Sequence, residues 1–216
     1  MKTIIALLKK EIQLELRQQY AFWGVLIYVA STTFLLFLAV SKPDKHVWIG
    51  LYWIILLFAS VNAIAKSFLA ESKGRMFYYY TLTSAVHFII SKLIFNAGLM
   101  LLIAVLSWAL VQVLLGSPIQ QPFLFLTITF LGSVSFGLLF TLLSAIAAKA
   151  QQNAALMAIL GFPLIIPLLL ILIKLSNATL NVGTTIFPFT LLAILGAYNV
   201  LIILLSCILY PFIWKE

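Results

Sequence analysis

Few side chains in this 216-residue chain could do chemistry: the acids Glu11, Glu15, Asp44, Glu71 and Glu216, the histidines His46 and His87, and the single cysteine Cys207. Hydrolysis by general acid and base needs two carboxylates facing one bond, and covalent catalysis needs a nucleophile beside a base. The sequence offers neither constellation, because all five acids fall in loops or near the ends of the chain. Cys207 lies deep in an apolar run, which leaves no disulfide framework and no paired-cysteine motif. A histidine can ligate a metal or a haem, but His46 and His87 fall on opposite sides of the topology derived below. They cannot share a ligand, and neither is read as one. Gly132-Ser-Val-Ser-Phe-Gly137 has the glycine spacing of a phosphate-binding loop, yet it runs on into Leu138 and Leu139, where Lys and Ser or Thr are required. The chain is therefore read as non-catalytic, with no metal and no bound cofactor expected.

The elements that must carry these residues follow from composition. Apolar types make up 64% of the sequence and charged types 8%, against roughly 45–50% and 25% in a soluble domain. Mean hydropathy is +1.19. So few charges cannot cover a water-facing surface, and the chain is expected to be an all-α integral membrane protein. Six charge-poor stretches each approach the roughly 20 residues that span the hydrocarbon. They run over approximately Ala21–Val40, Val47–Ala65, Leu93–Leu115, Pro122–Ala147, Ala154–Ile173 and Phe187–Trp214. One helix from Pro122 to Ile173 would be about 78 Å long, more than twice the core thickness. The chain must break between them, and Lys149-Ala-Gln-Gln-Asn153 is the polar place to do so.

Six spans put both termini on one side. If that side is cytoplasmic it holds Lys2, Lys9, Lys10, Arg17, Lys66, Lys73, Arg75, Lys92, Lys149 and Lys215, leaving Lys42, Lys45 and Lys174 outside. The positive-inside rule favours that orientation. The net charge of +8 thus reports topology, and nucleic acid is excluded because the basic residues are scattered at the ends of apolar runs. Met1, Ile5, Leu8, Ile12 and Leu16 share one face of a helical wheel, with Lys2, Lys9, Lys10, Gln13 and Arg17 on another. This predicts an amphipathic helix over residues 1–18 lying in the cytoplasmic interface. The cytoplasmic segment Lys66–Lys92 is longer than a turn requires. It holds the charged turn Glu71-Ser-Lys-Gly74-Arg75, where Gly74 can end a helix, and the aromatic run Tyr78–Tyr80. Ser84 then reads as the N-cap of the helix leading into the third span. A soluble partner on this face is the expectation.

Two features inside the spans invite a structural reading. Ser133, Gly137 and Thr141 recur every four residues, with Ser144 on the same side, as a small-residue stripe for close helix packing, within one subunit or between two. Pro163 and Pro167 leave the carbonyls of Ile159 and Pro163 without their usual donors, so a kink or local unwinding is expected there, serving as a hinge or lining a path. Intramembrane acids are absent, which weighs against proton- or ion-coupled transport.

The N-terminal helix with Lys10-Glu11 and Leu14-Glu15-Leu16-Arg17, the cytoplasmic loop after the second span and the six spans together resemble the membrane subunit of ABC-2-type exporters. The stretch from Gly137 to Leu170, with Pro163-Leu-Ile-Ile-Pro167 after a short basic turn, resembles the haem exporter protein B (CcmB) family. Phe68 to Gly74 and Lys92 add to the likeness, which covers essentially the whole chain. The resemblance implies a permease subunit in the inner membrane, forming a homodimer above two copies of a separate ATP-binding subunit. It further implies work with a haem-handling membrane protein and a periplasmic haem chaperone in cytochrome c maturation, with ATP on the partner and haem as cargo. In that setting Glu71, Gly74 and Arg75 would dock the ATPase, and Lys10, Glu11, Glu15 and Arg17 would brace the interface. Another cargo for the same architecture, such as a lipid-linked glycan or a drug, or a non-transporting assembly scaffold, stays open.

Overall fold

A peptide group in hydrocarbon must satisfy its hydrogen bond within its own segment, so long apolar stretches of this chain have one stable form, the helix. The computed structural model describes residues 2–17, 20–40, 42–64, 67–68, 82–149, 154–180 and 189–215. They form α1 (Lys2–Arg17), α2 (Tyr20–Ala39), α3 (Lys45–Ile64), α4 (Ala85–Leu115), α5 (Pro122–Lys149), α6 (Ala154–Asn177) and α7 (Phe189–Lys215), with a 3-10 turn at Ala178–Leu180. Six of these, α2 to α7, are long and apolar enough to cross a membrane. The chain is a multi-pass membrane protein. Helix α5 ends at Lys149 and α6 begins at Ala154, at either edge of the polar break.

Helix α4 starts eight residues before the expected apolar run, at Ala85 rather than Leu93. The cause is local: Ser84 is the N-cap, extended in backbone, its hydroxyl accepting from the amide of His87 at 3.4 Å. At its other end α4 stops at Gly116, whose φ of 70° favours glycine. The Trp48 indole donates to the Gly116 carbonyl at 2.9 Å and fixes the turn. Helix α5 then begins with Pro122 in the first helical position, where no N–H is needed.

The centre of the bundle is α5, which packs against α3, α4, α6 and α7. Two glycines let its neighbours in. A Cβ on Gly137 would meet the Cα of Ala97 on α4 at 2.8 Å, and one on Gly132 would meet the Trp53 ring on α3 at 2.6 Å. Ser133, Gly137, Thr141 and Ser144 are all buried within this one chain. Around them the hydroxyls mostly bond backward along their own helices: Thr33 to the Val29 carbonyl, Ser107 to Ile103, Ser135 to Leu131 and Ser206 to Ile202, at 2.7 to 2.9 Å. Bonds between helices include Asn96 to the Thr141 hydroxyl at 2.9 Å, Trp53 to the Ser176 hydroxyl at 2.9 Å and Tyr198 to the Leu164 carbonyl at 3.0 Å.

The expected unwinding of the fifth span is not seen. Helix α6 is continuous through Pro163 and Pro167. Both prolines lie on the exposed side of the helix with Phe162, Ile166 and Leu170, and each removes one hydrogen bond from the helix without ending it.

Candidate functional site

The two ends of the bundle differ. At one, Trp48, Tyr52, Trp53, Phe125 and Phe136 form a buried aromatic core, capped by a hydrogen bond of 2.9 Å between His46 and Asn177. The other end gathers α1, the start of α4 and the end of α7, and it holds a buried ion pair. His87 lies here, against Ser84 at 2.7 Å, so the histidines do sit at opposite ends.

Lys92 stands two turns inside α4 and is 2% exposed, and Glu11 of α1 is 6% exposed. The ammonium donates to Glu11 Oε2 at 2.9 Å and to the Ser67 carbonyl at 3.0 Å. Lys10 reaches the other oxygen, Glu11 Oε1, at 2.8 Å. Aromatic rings close the space around the charges. The Lys92 nitrogen sits 5.6 Å from the Phe68 ring centroid and 5.9 Å from that of Phe88, and Lys10 is also 5.9 Å from Phe88. Phe88 stacks on Tyr210 with an angle of 8° between the planes, and Trp214 packs against both.

Such a cluster does no bond chemistry. A buried ion pair stabilises little in net terms, but breaking one half leaves an uncompensated charge, so the pair enforces one arrangement of the parts that carry it. Here the parts are α1, the segment after α3, α4 and α7. One turn deeper, the Asn96 amide bonds both Ser67 at 3.3 Å and Thr141, whose hydroxyl turns to the Gly137 carbonyl. The cluster is thereby continued into α5.

The family model described as CcmB protein matches residues 2–213 of this chain. The chain belongs to the CcmB family. Members of that family are membrane components of haem export in cytochrome c maturation. Neither a curated protein nor a solved structure matches the chain.

Within this CcmB chain the residues singled out from sequence separate into groups. Lys10 and Glu11 belong to the buried cluster, and Glu15 is half-buried near them. Burial pushes the Glu15 carboxyl above its ordinary range, the negative Glu11 adds to the rise, and Lys92 opposes it. Arg17 is exposed at the end of α1, where a positive charge suits the helix dipole. Pro163 and Pro167 lie in α6, and Ser133, Gly137 and Thr141 in α5, away from the cluster in sequence. Glu71, Gly74, Arg75 and Tyr78–Tyr80 lie outside the described residues. From sequence, Phe68 and Lys92 entered only through the resemblance, with Lys92 counted besides as a cytoplasmic charge, and Phe88, Tyr210 and Trp214 were given no part. One signal was present: Lys92 falls inside a helix that Ser84 starts, flanked by apolar residues, and a cation so placed must have a partner.

Proposed function

We propose that this chain is the permease subunit of an ABC-2-type exporter complex in the bacterial cytoplasmic membrane. It couples ATP hydrolysis by a separate subunit to haem export, or to release of a haem-loaded chaperone, during cytochrome c biogenesis. Residues 1–216 act as one transmembrane domain, with both termini cytoplasmic and α1 lying in the cytoplasmic interface. Two copies form a homodimer over the ATP-binding subunits. A haem-handling membrane protein and a periplasmic haem chaperone complete the set of partners.

The observation that carries this reading is the Glu11–Lys92 pair in its aromatic surround. The segment of Glu71, Gly74 and Arg75 is bounded in sequence by Phe68 on one side and by α4 with Phe88 on the other, and both rings are in the cluster. A partner that grips this segment therefore pulls on one cross-braced unit. Lys10, Glu11 and Glu15 brace it from α1, with Arg17 at the rim. Movement passes through Asn96 and Thr141 to α5, and Pro163 and Pro167 give α6 the compliance of a hinge.

The test is a paired charge reversal, Glu71→Lys with Arg75→Glu. The expected result is loss of co-purification of the ATP-binding subunit, with a parallel fall in covalently haem-loaded c-type cytochromes while b-type haems are retained. Normal co-purification together with normal c-type cytochromes would remove the docking role of this segment.

A further inference from the structure

Helices α4 and α5 touch closely at one level and part beyond it. At Gly137 a Cβ would run into the Ala97 backbone at 2.8 Å, and beside that contact Asn96 bonds Thr141. Past Ala97 the two surfaces separate and leave a cleft of about 550 Å³ on the outside of the bundle. Gly98, Leu102 and Val105 of α4 form one wall, on a single i, i+4, i+7 stripe, and Phe130, Leu131 and Val134 of α5 form the other. At 1.5 Å per residue the cleft runs about 10 Å along α4 from Gly98 to Val105. Both walls lie near the middle of their membrane-crossing helices, so the cleft opens toward the core of the bilayer.

We propose that this cleft is a seat for one lipid acyl chain. Its chemistry, its shape and its extent select that occupant. Every lining residue is glycine or hydrocarbon, so a haem carboxylate, a sterol hydroxyl or a lipid headgroup would find no hydrogen-bond partner there and would stay unsatisfied at bilayer depth. A transmembrane helix does not fit either. Helices approach closely where small residues recur every four positions, but Gly98 stands between Ile94 and Leu102, each about half exposed, and opens a notch rather than a stripe. The seven lining residues also fall far short of the roughly 20–30 a side that a stable protein interface uses. A single chain needs neither a stripe nor a broad face. A Cβ on Gly98 would meet no atom within 4 Å, and that gap admits a methylene chain lying along α4 and touching α5 on its other side. Against an ordinary lipid-facing helix a chain meets one wall, so the cleft adds a second set of carbon–carbon contacts.

The experiment uses the full chain in vesicles of phosphatidylethanolamine and phosphatidylglycerol that contain a phosphatidylcholine with a diazirine at the end of one acyl chain. After illumination, lipid adducts are mapped by mass spectrometry. Ile27 of α2 and Val200 of α7 serve as references, since both are more exposed than Leu102, Val105, Phe130 or Leu131. Adducts on the cleft walls are expected to exceed those on the references by about five-fold, as a handful of additional carbon–carbon contacts provides. Gly98→Phe, whose ring fills the notch, should abolish the excess, and Gly24→Phe, which adds the same ring in open space on α2, should keep it. Adducts spread evenly over the exposed surface would overturn the seat and leave the cleft as ordinary lipid-facing surface. Adducts absent from the cleft but present on Ile27 and Val200 would overturn it in favour of a covering helix, from a second copy or another membrane protein. Both readings come from the parent protein, so a failure of Gly98→Phe to fold does not leave the proposal undecided.

Discussion

At the scale of single residues, the cluster at the α1 end turns on one carboxylate. Glu11 takes a cation on each of its oxygens, Lys10 on Oε1 and Lys92 on Oε2. Glu11→Ala is expected to destabilise by about 3–5 kcal/mol, because it removes the buried acceptor that both cations share, and the double change Glu11→Leu/Lys92→Met should recover part of the loss. Thermal midpoints of the purified protein in one detergent compare the two; a Glu11→Ala midpoint equal to the parent's would contradict a bracing role for the pair. Glu15 gives a prediction of opposite sign. Its folded-state carboxyl titrates above the unfolded one, so ionised Glu15 costs stability above the folded-state pKa, and the cost is relieved as pH falls through that value. Glu15→Gln should thus raise the thermal midpoint at neutral pH, with a gain that shrinks in mild acid. A gain independent of pH would point to some cause other than charge.

At the scale of elements, helix contacts depend on where a side chain would fit. Gly137 faces the α4 backbone at Ala97, which cannot yield as a side-chain tip can. Gly137→Ala should force α4 and α5 apart at a cost of about 1–3 kcal/mol. Gly98 on α4 has open space where a Cβ would go, so Gly98→Ala should be neutral or slightly stabilising. Equal midpoints for the two variants would mean that α4 and α5 do not meet at Gly137. The six spans and the Ser84 cap were legible because both depend on local facts: apolar length and a hydroxyl placed before an amphipathic start. The polar stretch from Lys149 to Asn153 was legible for the same reason. The role of Lys92 was not, because its partner Glu11 lies 81 positions away in sequence, and only the packing of α1 on α4 brings them together. The same holds for the meeting of Phe68, which follows the second span, with Tyr210 and Trp214, which read as ordinary apolar positions near the end of the last. The outward placement of both α6 prolines was equally hidden, since a proline's spacing does not tell which side of the helix the bundle covers.

At the scale of the whole molecule, α1 and the end of α7 meet at the Phe88 ring, so the two termini share one end of the bundle. The proposed orientation makes that end cytoplasmic. In a Cys207→Ser background, a thiol reagent that cannot cross membranes should label Ser117→Cys in intact cells and label Lys9→Cys only after the cells are opened. The reverse pattern would invert the topology and move every docking residue to the far side. The hydroxyls inside the bundle carry a further consequence. Thr33, Ser107, Ser135 and Ser206 spend their hydrogen bonds on carbonyls of their own helices, so these groups resist no displacement of one span against the next. Hydrogen-bonded resistance comes instead from side chains that reach across, among them Asn96 on Thr141, Trp53 on Ser176, Tyr52 on the Ala104 carbonyl and Tyr198 on Leu164. Between those rivets the described helices meet through apolar contacts, which hold by shape. If α1 delivers the movement proposed above, the Asn96 amide is a bond that must give before α4 travels along α5, and it acts as friction on that step.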